Sequence, residues 1–158
     1  MKITIYQQRY AYDYREAGAS IEEAIKALEH LPSDTDLAVF PEYTNSPSAF
    51  PKGTALPVAA EYNKRLLPAA MDAARRCHAI VVLSYAAEVE PGVWRNTTEV
   101  FDRNGHSAGR YFKQHLVRSE VQDKGVDPFR DQGVRPVDRT LETAARRDLD
   151  GQDRDIAF

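Results

Sequence analysis

Three short apolar runs constrain this chain more than any other feature. They are Ile3–Tyr6, Leu37–Phe40 and Ala79–Tyr85. Each has the length of a strand, and the first two gaps carry helix-period sequence. In Ser20-Ile21-Glu22-Glu23 the hydroxyl and carboxylate stand three apart, as in a capping box, so a helix is predicted from Ser20 to about His30. Ile21, Ala24, Ile25 and Leu28 mark its apolar face, and Pro32 stops it. A second helix is predicted from Val58 to Cys77, with Leu66, Ala70, Ala73, Ala74 and Cys77 on one face. The order β-α-β-α-β implies crossover units and parallel pairing. The third run is apolar throughout, which predicts cover on both faces.

The pattern then changes. Thr97–Asp102 and Ser107–Tyr111 flank Arg103-Asn104-Gly105-His106. Asn-Gly between short strands predicts a hairpin, because both residues tolerate positive φ. From about Asp123 the chain is dense in Asp and Arg and poor in apolar runs, with one helical possibility at Thr140–Arg147. The organisation read from this is a domain over 1–121 and a polar, poorly ordered tail over 122–158.

Bulk properties exclude several functions. The chain has 158 residues and a formal net charge of −3, so no global basic field draws nucleic acid or an acidic membrane. No Gly-rich phosphate loop and no aromatic-interleaved basic patch occurs. No run approaches the roughly 20 apolar residues of a membrane span. The N-terminal segment turns polar early, unlike a secretory signal, and a cytoplasmic protein is expected. One cysteine allows no intrachain disulfide and no Cys-rich metal site.

Few residues are placed for chemistry. In Leu37-Ala38-Val39-Phe40-Pro41-Glu42-Tyr43 a strand ends in proline followed at once by a carboxylate. Strand ends of open α/β sheets border the crevice where ligands bind, so Glu42 is a candidate general base and otherwise a surface acid. In Gly109-Arg110-Tyr111-Phe112-Lys113-Gln114-His115-Leu116 the second hairpin strand ends in Lys113, a candidate for holding an oxyanion or else a solvated cation. His115 has no companion ligands at metal spacing. Cys77 is flanked by Arg75, Arg76 and His78, but it ends a helix, where the dipole disfavours a thiolate. It reads as a small core residue.

Together these segments resemble the carbon–nitrogen hydrolase (nitrilase/amidase) superfamily. The resemblance rests on "MKITIYQQ" as first strand, "LAVFPEY" as the strand ending in an acid, "WRNTTEVFDRNGHSAGRYFKQHL" as the hairpin and lysine arm, and the order of Glu42 and Lys113. It covers roughly residues 1 to 121. It implies an α/β fold of the α-β-β-α sandwich type, here incomplete, with an appended hairpin. It implies hydrolysis of non-peptide C–N bonds in small amides, carbamoyl amines or nitriles by a Glu-Lys-Cys triad, with no cofactor and no metal. Glu42 would be the base and Lys113 the oxyanion cation, Glu120 would match an added glutamate that positions the lysine, and Tyr43 to Asn45 would border the substrate pocket.

The nucleophile is the departure. The family motif resembles Cys-x-Asp-x-x-Phe, whereas this chain reads Asp153-Arg154-Asp155-Ile156-Ala157-Phe158, with an aspartate where the thiol belongs. Two readings follow: a hydrolase interrupted near its elbow and inactive alone, or a non-catalytic relative acting as an interaction or regulatory subunit. A third, with Asp153 as nucleophile, needs an ordered elbow that the polar tail does not encode. Half a sandwich leaves apolar sheet exposed, so homo-oligomerisation is expected.

Overall fold

The computed structural model describes residues 1–128. The elements run β1 (Ile3–Ile5), a 3₁₀ turn (Tyr14–Glu16), α1 (Ala17–Glu29), β2 (Leu37–Val39), α2 (Ala55–Cys77), β3 (Ile80–Glu90), β4 (Val93–Phe101), β5 (Ser107–Phe112) and a π-helical turn (Glu120–Lys124). The strands form one five-stranded sheet in the order β1-β2-β3-β4-β5. The first three pair in parallel, with Ile3 opposite Leu37 and Leu37 opposite Ile80. The last three pair antiparallel. This is the α/β arrangement expected, with one sheet among the described residues.

Both crossover helices pack on one face. Ile21, Ile25 and Leu28 of α1 and Leu66, Ala70 and Ala73 of α2 meet Ala38, Val81, Leu83, Tyr85 and Phe101 of the sheet in one core. Alanine predominates on the buried face of α2, which lets that helix lie close to α1 and β3. Left-handed His78 ends it (φ 51°), and its N–H donates to the Ala74 and Arg75 carbonyls.

The expected two-sided cover of β3 is corrected. Val81, Leu83 and Tyr85 are buried, whereas Ile80, Val82 and Ser84 are only half-buried. A continuous apolar run requires two covers. Among the described residues the helices supply one, and the other face is covered only at the far end of the strand, where Ala86 packs with Tyr43 and Val126. The uncovered part of this face is apolar over β1, β2 and the start of β3 and turns polar at Ser84 and Thr98. In register it presents Ile3 and Ile5, Leu37 and Val39, Ile80 and Val82, and Val100. Ile3 is 48 % and Ile5 75 % exposed.

Three local expectations also change. Helix α1 begins at Ala17, so Ser20 lies inside it and no capping box forms. The Ser20 hydroxyl donates instead to the Arg9 carbonyl. The 3₁₀ turn that leads into the helix is capped by Asp13, whose side chain accepts from the Arg15 N–H, while Glu16 at the helix entry makes no side-chain cap. The buried tether of Ser20 outweighs the local cap. Second, β3 runs on to Glu90 and returns as β4 through Pro91-Gly92, with Gly92 at φ 76°. Pro-Gly fits a turn that needs a fixed φ and then a positive one. Third, only Gly105 of the Asn-Gly pair has positive φ (75°). Asp102 closes that turn instead, accepting from the Asn104 and His106 N–H groups at 2.8 and 2.9 Å. A Cβ on Gly105 would meet the Met71 carbonyl oxygen at 2.5 Å, so the hairpin tip sits directly on α2.

The segment 122–128, assigned by sequence to the tail, packs against the start of β4. Val126 is buried, Asp127 N–H donates to the Trp94 carbonyl (2.8 Å), and Trp94 N–H donates to the Asp127 carboxylate (2.9 Å). Thr140–Arg147 and Asp153 lie outside the described residues.

Candidate active site

Strand β2 delivers Glu42 through a shaped exit. Phe40 N–H still donates to Val82 O (2.9 Å), then Pro41, which has no N–H, ends the ladder. The Thr44 hydroxyl donates to the Pro41 carbonyl (2.7 Å) and Thr44 N–H to Ser84 O (3.0 Å), closing the turn around Glu42 and Tyr43. Tyr43 takes φ 57°, a left-handed conformation that is costly for a bulky residue.

Strands β4 and β5 deliver the partners. Lys113 N–H donates to Asn96 O (2.9 Å), one step beyond the Thr97–Phe112 pair. Side chains alternate along a strand. Asn96 therefore shares the uncovered face with Thr98 and Val100, and Lys113 shares it with Tyr111.

Lys113 bridges two carboxylates. Its Nζ donates to Glu42 Oε1 at 2.8 Å and lies 3.1 Å from Glu120 Oε2. Asn96 Nδ2 donates to the same Glu42 oxygen and to Glu120 Oε1, both at 2.7 Å. Glu120 also accepts from the Tyr43 hydroxyl (2.7 Å) and the Val117 N–H (2.7 Å). The two acids differ in access: the Glu42 side chain is 53 % exposed and that of Glu120 4 %.

Electrostatics follow from these contacts. Burial by itself would raise the Glu120 pKa, but hydrogen bonds from Tyr43, the Val117 N–H, Asn96 and Lys113 hold it below the usual carboxylate value. Burial would lower the Lys113 pKa, but hydrogen bonds to Glu42 and Glu120 outweigh it and hold the ammonium above its ordinary value. Burial, then Glu120, pushes the Tyr43 phenol up, so it stays a donor. The arrangement keeps one cation charged at the edge of the sheet beside one accessible carboxylate. It can accept a proton and stabilise a developing oxyanion.

Of the residues read from sequence, Glu42, Lys113, Glu120 and Tyr43 come together. Asn45 lies next to them but beneath the surface. Its amide donates to Ala86 O and Asn63 Oδ1 (both 2.8 Å) and accepts from Ala86 N–H (3.0 Å). Asn96 was not singled out, although its alternation with Thr98 puts it on the face that carries Lys113. Lys124, in the polar stretch after Glu120, lies over the Tyr43 ring. His115 is exposed. Cys77 is buried at the end of α2 with its thiol on Leu31 O (3.3 Å). Among the described residues no three His, Cys, Asp or Glu side chains are grouped to hold a metal, and no helix is long and apolar enough to cross a membrane.

A parallel β-α-β-α-β unit, an appended hairpin and a lysine shared by two glutamates define a chain of the nitrilase type. The family model for carbon–nitrogen hydrolases matches residues 2–139, and the chain belongs to that family. No curated protein matches it. Among solved structures it is similar to a carbon–nitrogen hydrolase from Helicobacter pylori G27 (20% identity, TM-score 0.57, 83% of this chain and 45% of that one). It is also similar to an amidase from Nesterenkonia sp. (22% identity, TM-score 0.56, 83% and 49%). A mutant of the Nesterenkonia sp. AN1 amidase, which shows Michael addition of acrylamide at its active site cysteine, matches as well (20% identity, TM-score 0.55, 83% and 50%). The chain thus spans about half the length of these structures.

Proposed function

We propose that this chain carries the acid–base half of a hydrolase of small non-peptide C–N substrates, an amide, carbamoyl amine or nitrile. The observation that carries this reading is Lys113 held between Glu42 and Glu120. Glu42, the exposed acid, is the base that takes a proton from an attacking thiol and returns it to the leaving nitrogen. Lys113 meets the charge that develops on the acyl oxygen. Glu120 stays ionised and orients Lys113. Tyr43 and Asn45 border the pocket as its frame, one through Glu120 and the other through β3.

The thiol is the missing partner. The one cysteine, Cys77, is buried against Leu31 and makes no contact with the cluster. We therefore expect no ammonia release from amides, carbamoyl amines or nitriles by the 158-residue chain. Hydrolysis by this chain that disappears in both Glu42→Gln and Lys113→Ala would overturn the missing-thiol reading. Where the coding frame extended downstream yields a product with a thiol-bearing elbow, each substitution should lower its kcat about 10²–10⁴-fold. Turnover insensitive to both would overturn the assigned roles.

A second reading has its own support. The apolar, uncovered sheet face favours association, as in a homo-oligomer or a non-catalytic interaction subunit. On that reading the site residues are retained as structure, and a purified, active extended product would remove it.

A further inference from the structure

The turn over Glu120–Lys124 ends in a lysine that the acid–base chemistry does not use. Lys124 Nζ points back into the fold and donates to the carbonyls of Ser46 (3.0 Å) and Ser48 (3.1 Å). It also lies 4.5 Å from the centre of the Tyr43 ring and 5.5 Å from that of Phe50. A lysine normally keeps its ammonium in water. Here two carbonyls and two aromatic faces replace that water. Burial pushes its pKa down, and the attraction of Glu120 and Glu42 offsets part of the fall.

We propose that Lys124 is a positioning residue for the Glu42–Lys113–Glu120 cluster: by clamping the loop over residues 43–50 it keeps the Tyr43 hydroxyl on Glu120. The chain of contacts is continuous. Lys124 covers the Tyr43 ring, the Tyr43 hydroxyl donates to Glu120 Oε1 (2.7 Å), and Glu120 Oε2 faces Lys113 (3.1 Å). Tyr43 needs such support, since a non-glycine residue at φ 57° persists only where its surroundings over-determine it. Ser46 N–H donates to Tyr43 O (2.8 Å), so the carbonyl that Lys124 holds at Ser46 belongs to the same tight turn. Clamping one end of that turn fixes the ring at the other.

Charge and position make opposite predictions. If Lys124 were only a nearby cation, removing it would relieve repulsion and raise the Lys113 pKa. If it positions Tyr43 and Glu120, removing it loosens the carboxylate from Lys113, whose pKa then falls. The proposal deepens the reading of this cluster as an active site. Its test reads an amine and not turnover, so failure of one is distinguishable from failure of the other.

The experiment is acetylation of Lys113 near pH 9, followed by mass spectrometry on the full chain shown to be folded by circular dichroism. Lys124→Met should speed the labelling of Lys113 severalfold, because more of the amine is unprotonated. Tyr43→Phe, which removes one hydroxyl, should do the same, and the double variant should add little. Lys124→Arg should restore the slow rate, since a guanidinium can donate to both carbonyls and stack on the rings. Unchanged or slower labelling in Lys124→Met overturns the proposal, including the case where only the unfolding midpoint drops. Should Lys124→Met fail to fold, an unchanged rate in Tyr43→Phe overturns it.

Discussion

The two faces of this sheet solve the same problem differently. Each holds a glutamate buried with a tyrosine hydroxyl and a cation. On the helix side Glu99 accepts from the buried Tyr85 hydroxyl and pairs with Arg110 Nε at 3.0 Å. On the uncovered side Glu120 accepts from Tyr43 and pairs with Lys113. Only the second cluster has another carboxylate, Glu42, open to solvent. Glu99 has its charge met within the fold and faces a packed core, so it serves as structure. Lys113 is shared between an inner acid that holds it and an outer acid that is open to solvent. A buried ion pair alone does not mark a site, and the proposed function rests on the accessible acid that shares the same cation.

The largest test of this contrast concerns packing. Leu83→Ala, on the helix side, should cost about 3 kcal/mol in chemical denaturation, because it opens a cavity in a closed core. Val82→Ala, one residue along, should cost below about 1 kcal/mol, because its side chain is half-exposed. Equal losses would mean the uncovered face is packed in solution. Next, Glu99→Ala should cost about 2 kcal/mol, since it strands Tyr85 and Arg110, although the Arg110 head can reach water. Glu42→Gln should cost less than about 1 kcal/mol, as expected of a half-exposed pair. A larger loss there would make Glu42 a structural acid. The last test concerns association. Ile5→Lys puts a charge on the uncovered face and should weaken self-association about tenfold, or about 1.4 kcal/mol, by sedimentation. A wild-type chain that is monomeric at every concentration would break the expectation of an oligomer.

Much of this was legible in the residues. The parallel unit was readable because apolar runs and helical spacing alternate at crossover length. Glu42 and Lys113 were readable because each ends a strand. The misreadings share one cause. Ser20 looks like a cap because caps are local, but a buried tether to Arg9 competes with it. The stretch after Glu120 looks like tail because it is polar, yet Val126 and Lys124 are drawn in by contacts far away in sequence. The β3–β4 hairpin was missed because the polar end of β3 hides its continuation.

The sequence by itself determined which strands and helices occur, in what order, and which residue types stand at the ends of β2 and β5, since periodicity and turn chemistry act between near neighbours. Only the tertiary structure decided that Glu42, Asn96, Lys113 and Glu120 meet. Asn96 bridges 54 residues to Glu42, and Lys113 bridges 71. Contacts at that distance depend on strand register and on which face is left uncovered, and neither is written in any one segment.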